Sequence, residues 1–209
     1  MDNSRRQGVL PLLLLALTTM STTSLAVAEQ TRLFDFPAEA AAQWRAVNDD
    51  VMGGVSDGRV RITANRTLEF LGTLSLENNG GFASVRSVPR PLGLTPGDVL
   101  VASIRGDGRE YQLNLYVPGR ARAFSYRWSF VTVKDQWIDV RMPLDRFVAT
   151  SFGQPVRGAG TVEPALVTSV GFLLSDKVPG PFKLEVAWID VVRQPPTSTP
   201  PAPSSSRDD

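Results

Sequence analysis

The sequence predicts an all-β domain built from two antiparallel sheets packed face to face. Apolar and polar residues alternate with a period of two along many segments, as in strands that bury one face. Turns rich in Gly, Asn and Pro separate these segments. Only one segment has a helical composition, so the regular strand–helix alternation that builds a parallel sheet is missing.

The strand-like segments alternate or are rich in β-branched and aromatic residues. They span 67–77, 99–106, 110–117, 122–133, 137–142, 170–176 and 182–192. In the last segment Trp188 shares a strand face with Leu184 and Val186, so we expect Trp188 to be buried. The helical prediction is one short helix near the N-terminus, PAEAAAQW at 37–44, where a proline precedes an alanine run.

Residues 1–28 have the three parts of an export signal. Arg5 and Arg6 supply the charge, Val9 to Leu17 form an apolar run, and Ala26-Val27-Ala28 is a small-x-small cleavage site. No later segment approaches the roughly 20 apolar residues of a transmembrane helix. We therefore expect cleavage after Ala28 and a periplasmic or secreted protein. The paired arginines also resemble the start of a twin-arginine signal, so the export route is Sec or twin-arginine.

The C-terminal residues 194–209 contain PPTSTPPAPSSSRDD, a composition that cannot bury enough apolar surface to offset the entropy of ordering. We expect this segment to be a disordered tail. The predicted folded domain then covers residues 31–193, which is long enough for one well-filled core.

The charge balance and two missing residue types exclude several classes of function. The chain has 22 Lys and Arg against 21 Asp and Glu, a balance that argues against nucleic-acid binding. It has no cysteine, so disulfides and thiolate sites are excluded. It has no histidine, which excludes His-ligated zinc and histidine general bases.

The stretch NDDVMGGVSDG at 48–58 contains Gly54-Val55-Ser56-Asp57-Gly58, which fits the G-x-S-x-G nucleophile elbow. That motif needs a strand–turn–helix and a histidine, so we do not expect Ser56 to be a nucleophile. Paired carboxylates could still support glycoside hydrolysis, although acids on alternating strands are more simply the solvated face of a sheet. The carboxylates available for this chemistry are Glu69, Glu77, Asp107, Glu110 and Asp139.

Aromatic side chains repeat at every second position from 124 to 130, which places them on one strand face. They are Phe124, Tyr126, Trp128 and Phe130. Such a stripe is usually sandwich core. If that face were open, Tyr126 and Trp128 could stack on a sugar ring in a groove flanked by Gln112, Asn114 and Arg127.

Several motifs, in order along residues 33–192, resemble the complex I intermediate-associated protein 30 family. They are Trp44, NDDVMGGVS (48–56), FLGTLS (70–75), NNGGFASVR (78–86), RGDG (105–108) with Tyr111, Trp137 with Pro143, Leu144 and Phe147, and GFLLSDK (171–177). The resemblance implies a galactose-binding-like jelly-roll β-sandwich. It also implies a non-catalytic role, since mitochondrial members are assembly chaperones for the membrane arm of respiratory NADH dehydrogenase.

The export signal sets this chain apart from the mitochondrial members. The sequence therefore favours an exported, non-catalytic binding domain that recognises a protein partner, which could be membrane-associated. The alternative is a carbohydrate-binding module, since this sandwich is widely used for glycans, and a carboxylate-based glycosidase is the third hypothesis.

The polar stretch 48–58 and the turn Asn78–Gly81 leave two interpretations open. Structurally, Gly53 and Gly54 allow a tight turn in which Asn48 and Asp49 bond local backbone amides. Functionally, the two segments could meet as a polar rim that binds a partner or Ca²⁺, which prefers oxygen ligands. No cofactor other than calcium is expected. The candidate binding residues are Asn48, Asp49, Asp50, Ser56, Asn78, Asn79, Arg86, Tyr126 and Trp128.

Overall fold

The computed structural model describes residues 28–121 and 123–193. The predicted signal peptide (apart from Ala28) and the predicted tail lie outside the described residues. Almost all regular structure is strand. The strands are β1 (Glu29–Phe34), β2 (Trp44–Ala46), β3 (Asp57–Ile62), β4 (Leu68–Leu74), β5 (Ala83–Ser87), β6 (Val99–Gly106), β7 (Glu110–Tyr116), β8 (Phe124–Val131), β9 (Trp137–Pro143), β10 (Val148–Ser151), β11 (Gln154–Pro155), β12 (Ser169–Leu174) and β13 (Gly180–Arg193).

Helical structure in the described residues is limited to short 3-10 turns. They cover Ala38–Gln43, Asp49–Met52, Glu77–Asn79, Leu144–Arg146 and Pro164–Leu166. The first of them is the short helix that the alanine run predicts near the N-terminus. Its tight 3-10 form is typical of pieces this short.

The strands form two antiparallel sheets, which confirms the predicted fold class. The first sheet has the order β3-β4-β13-β6-β9, with β1 also pairing with β13. The second sheet has the order β11-β10-β8-β7-β12-β5-β2. Neighbours in these sheets are often distant in sequence, as in a jelly roll.

The core lies between the sheets and follows the period of two. On β7 the side chains of Tyr111, Leu113 and Leu115 are fully buried, and the residues between them belong to the other face. On β8 the side chains of Phe124, Tyr126 and Phe130 are also buried. The aromatic stripe is therefore core, as its pattern predicts.

The expectation that Trp188 is buried is wrong, because β13 contains a bulge. Val186 pairs with Ile104 and Trp188 pairs with Ser103, so Ala187 is an extra residue in the register. After the bulge the alternation inverts, and Ile189 and Val191 face the core instead. Trp188 is partly buried on the outer surface beside Val99 and Val101, with the Arg32 guanidinium over its ring.

Candidate functional site

The polar stretch 48–58 is organised around the buried carboxylate of Asp49. This carboxylate accepts hydrogen bonds from the backbone amide of Ser56 at 2.9 Å and from the Ser56 hydroxyl at 2.6 Å. It also accepts hydrogen bonds from the amides of Gly81 at 2.7 Å and Phe82 at 3.2 Å. One side chain thus joins the 49–56 loop to the loop that follows β4.

The hydrogen bonds keep Asp49 ionised. Burial alone would raise the pKa of this carboxyl group. The hydroxyl of Ser56 and the three backbone amides outweigh the burial and hold the pKa of Asp49 below its ordinary value of 3.8. The charged carboxylate is therefore a structural acceptor at neutral pH.

Two glycines make room for this carboxylate. A Cβ atom on Gly54 would lie 2.4 Å from Cγ of Asp49, and one on Gly80 would lie 2.6 Å from Oδ2 of the same residue. Gly53 has a different role, since its φ of 90° is the left-handed conformation that ends the Asp49–Met52 turn. The glycine pattern of the motif is thus explained by close approach and by backbone conformation.

The two loops meet, as the rim hypothesis expects, but the structure favours the structural interpretation for most of the motif. Asn48 donates from Nδ2 to the carbonyl of Gly58 at 3.0 Å. The Ser56 hydroxyl donates to Asp49 and also accepts from the amide of Ser75 at 3.0 Å, so it is held in a buried hydrogen-bonded network. Asp50 is exposed beside this network.

The turn residues Asn78 and Asn79 are also exposed, and both adopt positive φ, which asparagine tolerates. Within residues 28–121 and 123–193 no group of three or more acidic side chains could hold a metal ion. The oxygens of Asp49 already accept several hydrogen bonds, and calcium binding stays a prediction.

The same two loops expose apolar side chains. Val51, Met52 and Val55 are 66%, 54% and 51% exposed, and Leu76 on the adjoining loop is 41% exposed. We call these four residues the apolar rim. Its backbone is held by the hydrogen bonds of Asp49 and Ser56.

The acids on the outer face of the first sheet form a ladder of ion pairs. Lys183 lies between Glu69 and Glu185, with Nζ 2.7 Å from a carboxylate oxygen of each. Arg61 also pairs with Glu69, and Arg105 pairs with Glu185 at 2.5 Å. Burial would raise the pKa of each glutamate, but these hydrogen bonds hold both below 4.5. Neither glutamate has the raised pKa of a glycosidase acid.

The outer face of the second sheet carries a row of polar and basic side chains. Strand register places Arg86 opposite Gly171, Gly171 opposite Asn114, and Asn114 opposite Arg127. Together these positions cross four adjacent strands. We call this surface the basic face, and define it by Arg45, Arg86, Gln112, Asn114, Tyr116 and Arg127.

Arg86 and Arg127 are partly buried on the basic face, and neither forms a salt bridge with an acid of the described residues. The Arg86 guanidinium lies over the Tyr116 ring, 4.4 Å from its centroid. Arg127 donates to Gln112 at 3.3 Å and to Ser125 at 3.2 Å. Burial lowers the pKa of Arg127, and the neighbouring charge of Arg86 adds to this.

The structure corrects the predicted aromatic binding residues. Tyr126 is buried in the core, and Trp128 packs against Phe147 with ring centroids 6.0 Å apart. Both point away from the face that carries Arg127, since successive strand residues alternate. The face that carries these two rings is therefore not the open groove that stacking on a sugar would need. The aromatic residue of the outer face is Tyr116. The alternation along 110–116 places it on the same strand face as the polar residues, so the sequence could have identified it.

No helix in the described part of the chain is long and apolar enough to cross a membrane. The family model described as complex I intermediate-associated protein 30 matches residues 34–186. The chain is 28% identical over 174 residues to "Complex I intermediate-associated protein 30, mitochondrial" of Mus musculus, covering 73% of this chain and 53% of that protein. It is 24% identical over 189 residues to the Drosophila melanogaster protein of the same name, covering 78% and 63%.

The chain thus spans between about half and two-thirds of the length of these curated relatives. Its fold is similar to a family 11 carbohydrate-binding module from Clostridium thermocellum, solved with a β-1,3-1,4-mixed-linked tetrasaccharide. The TM-score is 0.63 at 17% identity, covering 80% of this chain and 97% of the module, which shows a shared fold. The match over residues 34–186 shows that the chain belongs to the complex I intermediate-associated protein 30 family.

Proposed function

We propose that this protein is a non-catalytic binding domain that acts as an assembly factor by recognising a protein partner. The observation that carries the proposal is the family match over residues 34–186, which covers nearly the whole described domain. The relatives named for association with a complex I intermediate make a subunit or intermediate of a membrane-bound complex the natural class of partner.

The apolar rim supports a protein partner. Exposed apolar side chains that lie together mark interaction surfaces more often than isolated ones do. Methionine is also enriched at protein interfaces, and Met52 is 54% exposed. Because the Asp49 network holds the backbone of both loops, little order has to be gained when a partner binds.

We propose a non-catalytic role because of the chemistry of the groups that could act as an acid, a base or a nucleophile. The chain has no histidine or cysteine. The buried hydroxyl of Ser56 bonds an ionised carboxylate, and Glu69 and Glu185 are held in ion pairs. None of these groups is placed as a free general acid, base or nucleophile.

We also propose that the protein acts outside the cytoplasm, in a periplasm or after secretion. The three-part pattern of residues 1–28 supports this location. N-terminal sequencing of the mature protein tests it, with Glu29 expected as the first residue. Retention of residues 1–28 would contradict both the cleavage and the export.

Carbohydrate binding is the second candidate function, and the shared fold with a carbohydrate-binding module is its support. It differs from the first in a simple observable. A glycan array incubated with the purified protein should show no retained sugar if the partner is a protein, whereas specific retention of one glycan class would favour the alternative.

The proposal is tested by affinity capture from a detergent-solubilised membrane fraction of the native host. We expect the wild-type protein to retain one specific protein complex. The variant Met52→Asp should lose it with little change in melting temperature, because an exposed substitution typically shifts stability by less than about 0.5 kcal/mol. Failure of wild type to retain any specific protein would contradict the proposal.

A matched control comes from the other end of the sandwich. Leu166 is 46% exposed and precedes β12, whose far end at Leu174 pairs with Ala83 next to the rim loops. Leu166→Asp introduces the same charge at an apolar position of similar exposure. It should keep the partner, so a loss in both variants would show that added negative charge, and not the apolar rim, is responsible.

A further inference from the structure

Within the described strands, the buried and partly buried charged residues that face outward are paired on the first sheet but not on the second. On the first sheet Lys183 is shared between Glu69 and Glu185, so that each buried carboxylate has a cation. On the basic face of the second sheet, Arg86 and Arg127 have no carboxylate partner among the described residues. Partly buried guanidinium groups usually find an anion, because removing them from water is costly.

Two polar atoms on this face also lack hydrogen bonds. Asn114 is 2% exposed, and its Oδ1 has no partner, although its Nδ2 donates to the hydroxyl of Tyr116 at 3.3 Å. The Nε–H of Arg86 is likewise buried and unpartnered. Leaving a buried polar group unsatisfied is costly, and both of these atoms lie in the row that carries the two arginines.

We propose that the basic face binds an acidic segment of the protein partner. The guanidinium groups of Arg86 and Arg127 receive carboxylates of that segment. The assignment rests on the proposed function, because it places part of the partner on the outer face of the second sheet. It adds an electrostatic surface to the apolar rim.

The spacing of the face suits a segment with more than one acid. Arg86 lies on β5 and Arg127 on β8, with β12 and β7 between them. Adjacent strands are about 4.8 Å apart, so the two backbones are separated by about 14 Å. The guanidinium groups lie closer together than the backbones, because Arg86 reaches across β12 to the Tyr116 ring on β7, the strand next to β8.

Gly171 allows neighbouring side chains of the basic face to lie close to the sheet. A Cβ atom at this position would lie 2.5 Å from the carbonyl oxygen of Val85 and 3.2 Å from both Cγ of Arg86 and Cε2 of Tyr116. The glycine lets the Arg86 stem and the Tyr116 ring settle against the sheet between Arg86 and Asn114. Gly171 is therefore covered by these two side chains, and they form the surface that a ligand meets at this point.

The aromatic geometry favours a protein segment over a glycan. Among the outward-facing positions of β5, β7, β8 and β12, all of them described, Tyr116 is the one aromatic residue. One face of its ring is occupied by the guanidinium of Arg86. Sugar rings are usually held by an open aromatic face, whereas carboxylates are held by paired guanidinium donors.

The probe for this proposal is fluorescently labelled poly-L-glutamate, whose binding to the full chain is followed by anisotropy at several salt concentrations. We expect saturable binding that weakens as salt is raised, since the contacts are charge pairs. Unlabelled polygalacturonate and neutral mixed-linkage β-glucan are added as competitors. Stronger competition by either polysaccharide than by unlabelled poly-L-glutamate would overturn the assignment to a protein segment.

The variants Arg86→Gln and Arg127→Gln test the residues. Each should weaken poly-L-glutamate binding by about tenfold or more, as expected when one partner of a close charge pair is removed. Arg141→Gln is the matched control, because Arg141 is an exposed arginine on β9 of the other sheet. Melting curves identify any variant that unfolds. If Arg127→Gln unfolds, Arg127→Lys is the substitute, because lysine keeps the positive charge. Equal binding by wild type and both folded glutamine variants would overturn the proposal.

Affinity capture separates this inference from the proposed function. If the Arg86→Gln/Arg127→Gln double variant loses the partner that wild type and Arg141→Gln retain, the basic face is confirmed as part of the interface. If the double variant retains the partner while Met52→Asp loses it, the proposed function stands and the basic-face assignment fails. If wild type retains no protein, the proposed function itself fails.

Discussion

The carboxylate of Asp49 accepts two hydrogen bonds from Ser56, one from its amide at 2.9 Å and one from its hydroxyl at 2.6 Å. The same carboxylate accepts the amides of Gly81 and Phe82 from a second loop. A buried charge is tolerated when donors surround it in this way. The buried carboxylate of Asp49 thus holds the polar stretch 48–58 against the second loop, and the two loops together expose the apolar rim.

Asp49→Ala should destabilise the fold by about 3 kcal/mol or more, because it leaves several buried donors without an acceptor. Asp50→Ala is the control, since Asp50 is an exposed neighbour and its loss should change stability by less than about 0.5 kcal/mol. Urea unfolding of both variants measures the difference. Equal midpoints in wild type and Asp49→Ala would show that the carboxylate is not a structural acceptor.

Ser56→Ala should cost about 1–3 kcal/mol, because the hydroxyl both donates to Asp49 and accepts from the amide of Ser75. Hydrolysis of p-nitrophenyl esters should be at background level in wild type and unchanged in the variant. A wild-type esterase activity that disappears in Ser56→Ala would restore the nucleophile-elbow interpretation of this stretch.

Much of the fold could be predicted from the sequence, because burial on one face imposes a period of two. The seven predicted segments correspond to β4, β6, β7, β8, β9, β12 and β13, and the core stripe at 124–130 follows from the same pattern. The shorter strands β5, β10 and β11, and the strands before residue 67, were not predicted. The loop chemistry was also partly predictable, since Asn and Asp before paired glycines indicate a turn. That Asp49 would reach Gly81 could not be predicted, because the contact depends on how the two loops are brought together.

The site residues that the sequence misassigned share one cause. Alternation assigns side chains to two faces but does not say which face is covered, so Tyr126 was offered for binding while Tyr116 was missed. The bulge at Ala187 inverts the faces within β13, and no local signal in 182–192 marks it. The missing partners of Arg86 and Arg127 are also a tertiary property, since every acid of the chain was available in principle.

The bulge makes a quantitative prediction about two aromatic residues. Phe70 is fully buried in the core, so Phe70→Ala should cost about 3–5 kcal/mol. Trp188 packs on the outer surface, so Trp188→Ala should cost less than about 3 kcal/mol despite the larger side chain. Chemical unfolding compares the two. A larger loss for Trp188→Ala would place that ring in the core.

Stability should fall on acidification. The pKa values of Asp49 and Glu69 are lowered in the folded protein from 3.8 and 4.5, respectively. Their stabilisation is fully present above the unfolded values and is lost as pH falls through the folded ones. Urea midpoints should therefore decrease below about pH 5. Asp49→Asn should show a weaker pH dependence than wild type, and an identical dependence would contradict the assignment of that carboxylate.

Gly53 allows the Asp49–Met52 turn to be tested through its backbone conformation alone. Its φ is 90°, and a Cβ there would meet nothing within 4 Å, so a substitution suffers from conformation and not from a clash. Gly53→Val should cost about 1–2 kcal/mol or more, because a β-branched residue resists the left-handed region. Gly53→Asn should cost less, since asparagine adopts that region more readily.

The contrast with Gly54 completes this test. Gly54→Ala places a Cβ 2.4 Å from Cγ of Asp49, so it should disturb the carboxylate directly. Combined with Asp49→Ala, the Gly54→Ala variant should cost less than it does alone, because the atom it meets is gone. Gly53→Val should cost the same in both backgrounds. Additive losses for Gly54→Ala and Asp49→Ala in a double-mutant cycle would show that the two residues are not in contact.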